Sequence, residues 1–384
     1  MKVSLIVSDL SGGGAVRAFL LGQVIKKLNY EVEIVGFQFG EELYAIPPSG
    51  MPIFSVKGEK YPGLFKRAIE VLNKIDGDII YAVKPKPTSF GISVVKKLFN
   101  NRRPLLLDMD DWELSWHGGD DWKYRPTPKQ LYRDIFKKDG ALKYPDHPLY
   151  VKWMENLVQN ADAITIDTDF LKKRFGGVYL PNGKDTEMFD PDKYDPEASR
   201  SRYGLSGYRI LMFPGAPRPH KGVEDVLIAL DILNQSDLKL VIVGGSPYDD
   251  YDDKLSQRWG RWIIKLPRCP VEAMPEVVAA AHVVVVPQRN DLTARAQFPL
   301  KLTDGMAMAK PILSTKVGDI PDILNGTGYL VEPGNPEQIA VKIQEIFQDL
   351  ESANERGRKG RERCVKYYSV DSMSATLSEI IAGL

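Results

Sequence analysis

The run His282-Val283-Val284-Val285-Val286-Pro287 most constrains what this chain can fold into. Four successive β-branched residues favour an extended backbone, and with no polar residue among them both faces of the strand must be buried, as in a parallel sheet covered by helices. Comparable runs recur at Val3–Val7, Val32–Gly36, Asp78–Val83, Pro104–Asp108, Ala163–Asp167, Arg209–Phe213 and Lys239–Val243. Between them lie segments with helical spacing, such as Val16, Phe19, Leu20, Val24, Ile25 and Leu28. Strands alternating with helices imply an α/β fold. The alternation pauses at Asp190-Pro191-Asp192 to Ala198, which reads as a linker, and then restarts. A chain of 384 residues is long for one core, so two domains are expected, over 1–190 and 200–370.

Charge narrows the function classes. Residues 1–190 hold 27 Lys and Arg against 25 Asp and Glu, and the whole chain balances 51 against 51, so neither half is a nucleic-acid-binding domain by charge. Only Cys269 and Cys364 occur, which leaves no disulfide framework and no zinc spacing. The amino terminus reaches Asp9 too soon to read as a signal peptide, and no apolar run is long enough to span a bilayer. A cytoplasmic protein is the resulting expectation. Residues 64–75 are amphipathic and basic on one face; they read as a packed helix with a solvated side, and peripheral membrane contact stays open.

Candidate chemistry gathers after the strands. Gly12-Gly13-Gly14 separates the first strand from its helix, a turn that lets backbone approach a ligand closely. Pro214-Gly215-Ala216-Pro217-Arg218-Pro219-His220-Lys221-Gly222 lies between a buried strand and a helix, so Arg218 and Lys221 project over a sheet edge as a clamp for a diphosphate. Gly244-Gly245 follows the next strand. Phe298-Pro299-Leu300-Lys301 opens a helix that Pro311 stops, and Asp304 follows Lys301 by three residues, on one face near the positive end of the helix dipole. A phosphate-bearing ligand suits that position. Asp108-Met109-Asp110-Asp111-Trp112-Glu113 puts carboxylates at a strand's carboxyl end, the place for a metal, a general base or a capped polar loop. The connection 112–148, rich in Trp, Tyr and Lys, suits stacking on sugars.

Taken together these segments resemble the GT-B glycosyltransferases, specifically the retaining enzymes of family 4. The residues that carry the resemblance are Gly12 to Gly14, Pro181-Asn182-Gly183 with Asp185 and Phe189, His220-Lys221-Gly222, Gly244-Gly245, Ala307, Pro311, Gly318 and the stretch Gly328 to Asn335. The resemblance implies two Rossmann-like domains facing across a cleft. The first would hold a carbohydrate or lipid-linked acceptor, and the second a nucleoside-diphosphate sugar, with no cofactor and no metal. Lys221 and Arg218 would neutralise the leaving diphosphate. Gly13, Gly14, Gly215, Gly244, Gly245, Gln297, Phe298, Leu300, Lys301 and Asp304 would line the donor, and the helix over 371–384 would pack back on the first domain.

The family pattern is not kept everywhere. It carries two glutamates with seven residues between them; Ala296 stands at the first position and Asp304 at the second. Gln297 and Asp291 are the candidates to replace the missing acid, and Arg218 replaces an arginine usual at the position of Ala216. A histidine expected after the strand ending at Asp108 has His117 as its candidate, with Asp111 as a neighbouring acid. The expected function is retaining glycosyl transfer in polysaccharide or glycolipid synthesis. A nucleotide-sugar epimerase of the same architecture, and a binding protein weakened in catalysis at Ala296, are the alternatives.

Overall fold

Side chains of a strand alternate between its two faces, so a strand apolar throughout feeds two cores at once. Ile210 and Met212 enter one hydrophobic cluster and Leu211 and Phe213 the other; Val284 and Val286 likewise separate from Val283 and Val285. The molecule is known from a computed structural model that describes residues 1–48, 50–99, 103–246 and 249–384. Cutting a buried Leu or Ile to alanine in either layer would cost about 2–5 kcal/mol. These two layers are therefore the main hold on the sheet.

The chain divides into two compact units, Met1–Asn182 with Met373–Leu384, and Gly183–Ser372. Among the described residues, the first unit is built on a seven-stranded parallel sheet in the order β3-β2-β1-β4-β5-β6-β7. Its strands are β1 Lys2–Val7, β2 Glu31–Gln38, β3 Ile53–Lys57, β4 Ile79–Val83, β5 Leu105–Met109, β6 Ala163–Ile166 and β7 Val178–Tyr179. The second unit carries six parallel strands in the order β10-β9-β8-β11-β12-β13. These are β8 Arg209–Pro214, β9 Leu238–Val243, β10 Ile263–Leu266, β11 Val283–Val286, β12 Ile312–Thr315 and β13 Tyr329–Val331. Both are Rossmann-like: α/β layers wound outward from a point where strand order reverses, at β1/β4 and at β8/β11. Among the described residues no helix is long and apolar enough to cross a membrane.

The units part at Asn182/Gly183 rather than over 190–200. The stretch read as a linker is ordered within the second unit: Pro191–Lys193 is a short turn and Pro196–Arg202 a helix. The Asp195 carboxylate accepts from the backbone N–H groups of Glu197 and Ala198 at 2.7 and 3.1 Å, a cap with proline in the first turn behind it. Residues 373–384 cluster with the first unit, where Met373, Leu377 and Ile381 form a buried stripe. The second unit is closed at its base. Lys184 N–H donates to Tyr368 O at 2.8 Å, and Val370 N–H donates back to Lys184 O at 2.9 Å, a parallel bridge between the chain's entry and its exit.

Among the elements with no counterpart in the sequence reading are three with faint patterns. β3 is an edge strand with Phe54 exposed, so its alternation is faint. The helix Tyr251–Trp259 turns inward only Asp252, Leu255 and Trp259, too few apolar residues for a clear stripe. Within 112–148, Pro128–Phe136 is a helix capped by Thr127, whose hydroxyl accepts from Gln130 N–H at 3.3 Å.

Candidate functional site

At the β8/β11 reversal of the second unit, the loop after β8 is fixed by backbone. Gly222 has φ +67°, and a Cβ placed there would fall 1.8 Å from Pro287 O, so the turn Pro219–Lys221 lies hard against the end of β11. Arg289 N–H donates to His220 O at 2.9 Å, and the Arg289 guanidinium pairs with Asp225 at 2.9 Å and Glu224 at 3.1 Å. Thr315 Oγ1 donates to Gln288 O at 2.6 Å, joining the end of β12 to the same edge. The loop has little freedom left.

That rigid turn holds a cluster of like charges. Lys221 Nζ donates to Ala216 O at 3.2 Å. Gly215 has φ +128°, and the Lys301 side chain lies over it, with Cε and Nζ 3.1 Å from where a Cβ would be. The charge of Lys301, then burial, then Arg218, push the Lys221 ammonium down to about 6. Lys301 is itself lowered by burial, against the pull of Asp304. His220 falls to about 4, from burial and the neighbouring Lys221. Buried cations that repel one another are unfavourable until an anion arrives.

A dianion seated there reverses the shift. Titrating the protein with inorganic pyrophosphate at pH 7.5 is expected to take up about one proton at Lys221, which is lost in the empty protein above pH 6 and regained on binding. Calorimetry in buffers of different ionisation enthalpy reads this directly; a heat independent of buffer contradicts the assignment.

The remaining expected residues are placed less uniformly. Asp304 is buried and ion-paired with the ammonium of Lys184, which the sequence reading did not single out. Leu300 is exposed at the start of the helix Leu300–Ala307. Phe298 is buried in the core beside Tyr368, with ring centroids 6.2 Å apart, so its side chain is committed to packing. Gln297 is half-buried just before it. Gly244 and Gly245 follow β9, next to β8; Gly244 has φ +87°, and a Cβ on Gly245 would meet Asp252 Oδ2 at 2.8 Å. Ala296 is fully buried, and the Asp291 carboxylate is taken up capping its helix, accepting from Ala294 N–H at 2.7 Å. Asp291 is thus engaged locally.

The first unit has its own charged cluster at the β1/β4 reversal. Gly13 is open to solvent, while the Lys84 side chain passes 3.3 Å from a Cβ built on Gly14. Lys84, at φ +71°, lies 2.6 Å from Glu113, 3.6 Å from Asp110 and 3.9 Å from Asp111. Burial opposes its charge, but Asp110, Glu113 and Asp111 hold its pKa well above the ordinary value. Lys86 adds a second cation 3.1 Å from Glu113. Asp111 also accepts from Trp116 Nε1 at 3.1 Å, and His117 is exposed at the end of the next turn. The acids read from sequence are therefore drawn to lysines, and among the described residues no three His, Cys, Asp or Glu side chains converge as metal ligands. Deeper, Arg17 holds Asp108 through two bonds of 2.8 and 2.9 Å and donates to Asn182 Oδ1 at 3.1 Å. Asn182 in turn donates to Asp167, whose pKa burial raises well above the carboxylate range. Lys84, Lys86 and Arg17 were missed; the one local signal was Lys84-Pro85-Lys86-Pro87 after a buried strand.

Known proteins resemble this chain in sequence and fold. A mannosyltransferase of Mycolicibacterium smegmatis, GDP-mannose-dependent and acting on phosphatidylinositol monomannoside, is 24% identical over 330 residues, 79% of this chain and 84% of that one. N-acetyl-alpha-D-glucosaminyl L-malate synthase of Bacillus anthracis is 22% identical over 374 residues, 94% and 91% of the two chains. The crystal structure of Anabaena Alr3699/HepE with UDP-glucose superimposes with a TM-score of 0.74 at 16% identity, covering 100% of both chains. Residues 208–349 match the family model described as glycosyl transferases group 1, and the fold is that of the GT-B glycosyltransferases.

Proposed function

We propose that this protein is a retaining, metal-independent glycosyltransferase that moves a sugar from a nucleoside diphosphate to a carbohydrate or lipid-linked acceptor, in the cytoplasm, for polysaccharide or glycolipid synthesis. The observation that carries the reading is the Lys221, Lys301 and Arg218 cluster, whose mutual repulsion calls for a polyphosphate at the β8/β11 reversal. The family match over 208–349 covers this cluster, and the Mycolicibacterium smegmatis relative is GDP-mannose-dependent.

In this mechanism the diphosphate lies over the Gly215 turn. Lys221 and Lys301 neutralise its oxygens as the bond to the anomeric carbon breaks, which is the charge development such preorganised cations stabilise. Gly215 and Gly244 admit backbone close to the donor, and Asp304 accepts from the ribose hydroxyls with Lys184 holding its carboxylate in place. The departing phosphate helps take the acceptor proton on the same face, so no carboxylate pair at glycosidase spacing is needed. In the first unit, Asp111 and the Lys84 cluster receive the acceptor. His117, exposed one turn later, contacts it as it enters.

Incubation with GDP-, UDP- and ADP-sugars, GDP-mannose first, and with polyprenyl- or phosphatidylinositol-linked acceptors tests the proposal. A product with retained anomeric configuration in the presence of chelator is expected. A second reading, a sugar-nucleotide binder without turnover, is favoured by the buried Ala296 and the engaged Asp291. Tight donor binding with neither transfer nor hydrolysis would establish that reading, and conversion of the donor to an epimer would overturn both.

A further inference from the structure

The helix Pro128–Phe136 in the first unit faces the wrong way for a globular protein. Its buried side chain is a carboxylate, Asp134, held by Tyr124 Oη at 2.8 Å and Arg133 at 3.1 Å. Its apolar residues Leu131, Tyr132, Ile135 and Phe136 are 39%, 59%, 42% and 65% exposed. They sit one turn apart in pairs, so they form a single stripe along the outer side.

The stripe continues beyond the helix. Lys143 Nζ donates to Phe136 O at 3.5 Å, and Lys143 O accepts from Tyr61 N–H at 2.9 Å. Lys60 lies 3.9 Å over the ring of Tyr144, itself 44% exposed. The ring of Tyr61 meets Phe65 at 5.2 Å, and Phe65 and Ile69, 65% and 58% exposed, carry the surface along the helix Gly63–Lys74. The outward stripe of Pro128–Phe136 and the exposed Phe65 and Ile69 of Gly63–Lys74, which buries Leu64 and Val71, are thus linked through tyrosines and lysines.

The charge of this face identifies its occupant. The chain as a whole is neutral, yet residues 123–143 hold seven Lys and Arg against two acids, and one of those acids is the buried Asp134. Exposed Lys129, Lys137 and Lys138 border the stripe on its own element, and Lys60 and Lys66 border it on the other. Shallow aliphatic and aromatic side chains, tyrosines at the margin and a lysine rim match an acyl boundary under negative headgroups. We infer that this face docks the protein on an anionic lipid bilayer, with the helix Pro128–Phe136 lying in the headgroup plane. The inference deepens the lipid-linked acceptor reading above and rests on it only for its purpose.

Co-sedimentation of the full chain with phosphatidylglycerol/phosphatidylcholine vesicles and with pure phosphatidylcholine vesicles tests it. Binding to the anionic vesicles, weakened at least tenfold by 0.5 M NaCl and by Lys137→Glu with Lys138→Glu, is expected. Ile135→Asp with Phe136→Asp should weaken it at least tenfold as well, with an unchanged circular dichroism spectrum because both residues face solvent. Equal binding to both vesicle types, or none to either, overturns the inference. So does a wild-type dimer in sedimentation velocity that Ile135→Asp with Phe136→Asp converts to monomer without altering vesicle binding, since the face then covers a second copy. If vesicle binding behaves as expected but no acceptor is glycosylated, docking stands and the functional proposal falls.

Discussion

Lys221→Ala is expected to lower turnover at saturating donor on the order of 10²-fold while weakening donor binding much less. The asymmetry follows from the empty site. There the ammonium is already pushed down to about 6 by Lys301, burial and Arg218, so part of the attraction to an incoming diphosphate is spent on restoring its proton. Once the donor is bound the proton stays, and the full charge meets the leaving group as the glycosidic bond breaks. Interactions that grow between the bound state and the transition state raise kcat rather than affinity. The same reasoning fixes the pH profile. In the free protein Lys221 gives up its proton as pH rises through about 6, so kcat/KM declines above that point. With donor bound the group stays charged, and kcat remains flat across neutral pH. Rates of the wild type and the variant at limiting and at saturating donor, across pH, check both statements. An unchanged kcat for Lys221→Ala removes the lysine from the chemistry.

Arg17→Ala is expected to cost the first unit about 3–5 kcal/mol, the usual penalty for leaving one member of a buried pair alone. Arg17 and Asp108 are 2% and 0% exposed, and the same guanidinium also reaches Leu180 O at 2.8 Å and the Asn182 side chain at 3.1 Å. Without it, Asp108 keeps the bond from Thr165 Oγ1 at 2.6 Å but loses its charged partner, and the Arg17 charge no longer restrains the rise of Asp167. The pH dependence has a definite sign. Asp167 is raised, so the folded chain keeps a proton that the unfolded chain gives up, and its contribution to stability is lost as pH rises towards the folded value. The variant strengthens that trend, so its urea midpoint should climb more steeply than the wild type's between pH 8 and pH 5.5. Asp108→Leu on top of Arg17→Met should recover part of the loss. A change under about 1 kcal/mol in urea titration would mean that desolvation cancels the pair's attraction.

How much of this could be read beforehand depends on distance along the chain. The strand Val283–Val286 is legible because its four residues declare two buried faces by themselves, and the turn at Gly222 because glycine follows a basic loop after such a strand. Arg17 and Asp108 lie 91 residues apart, and Lys184 is still more remote from Asp304 in sequence; no local pattern announces either pair. Asp110, Asp111 and Glu113 look like a free acid cluster until β4 brings Lys84 alongside. The helix Pro128–Phe136 is hidden for another reason: it falls within the long connection 112–148, and it turns a carboxylate inward and its apolar residues outward, the reverse of a packed helix. Ala296 was the departure visible at once, and the structure sharpens it by burying the residue and occupying Asp291.

The bridge between Lys184 and Ser369 has one more consequence. A segment whose first and last residues are hydrogen-bonded to each other is topologically a cassette. Residues 183–372 contain both halves of their own seam, so the pairing of their ends is internal to the segment. Such a segment has the layout that permits transplantation between hosts or re-cutting at a surface loop with the old ends joined. Residues 183–372 are thereby set apart from the rest of the chain by connectivity.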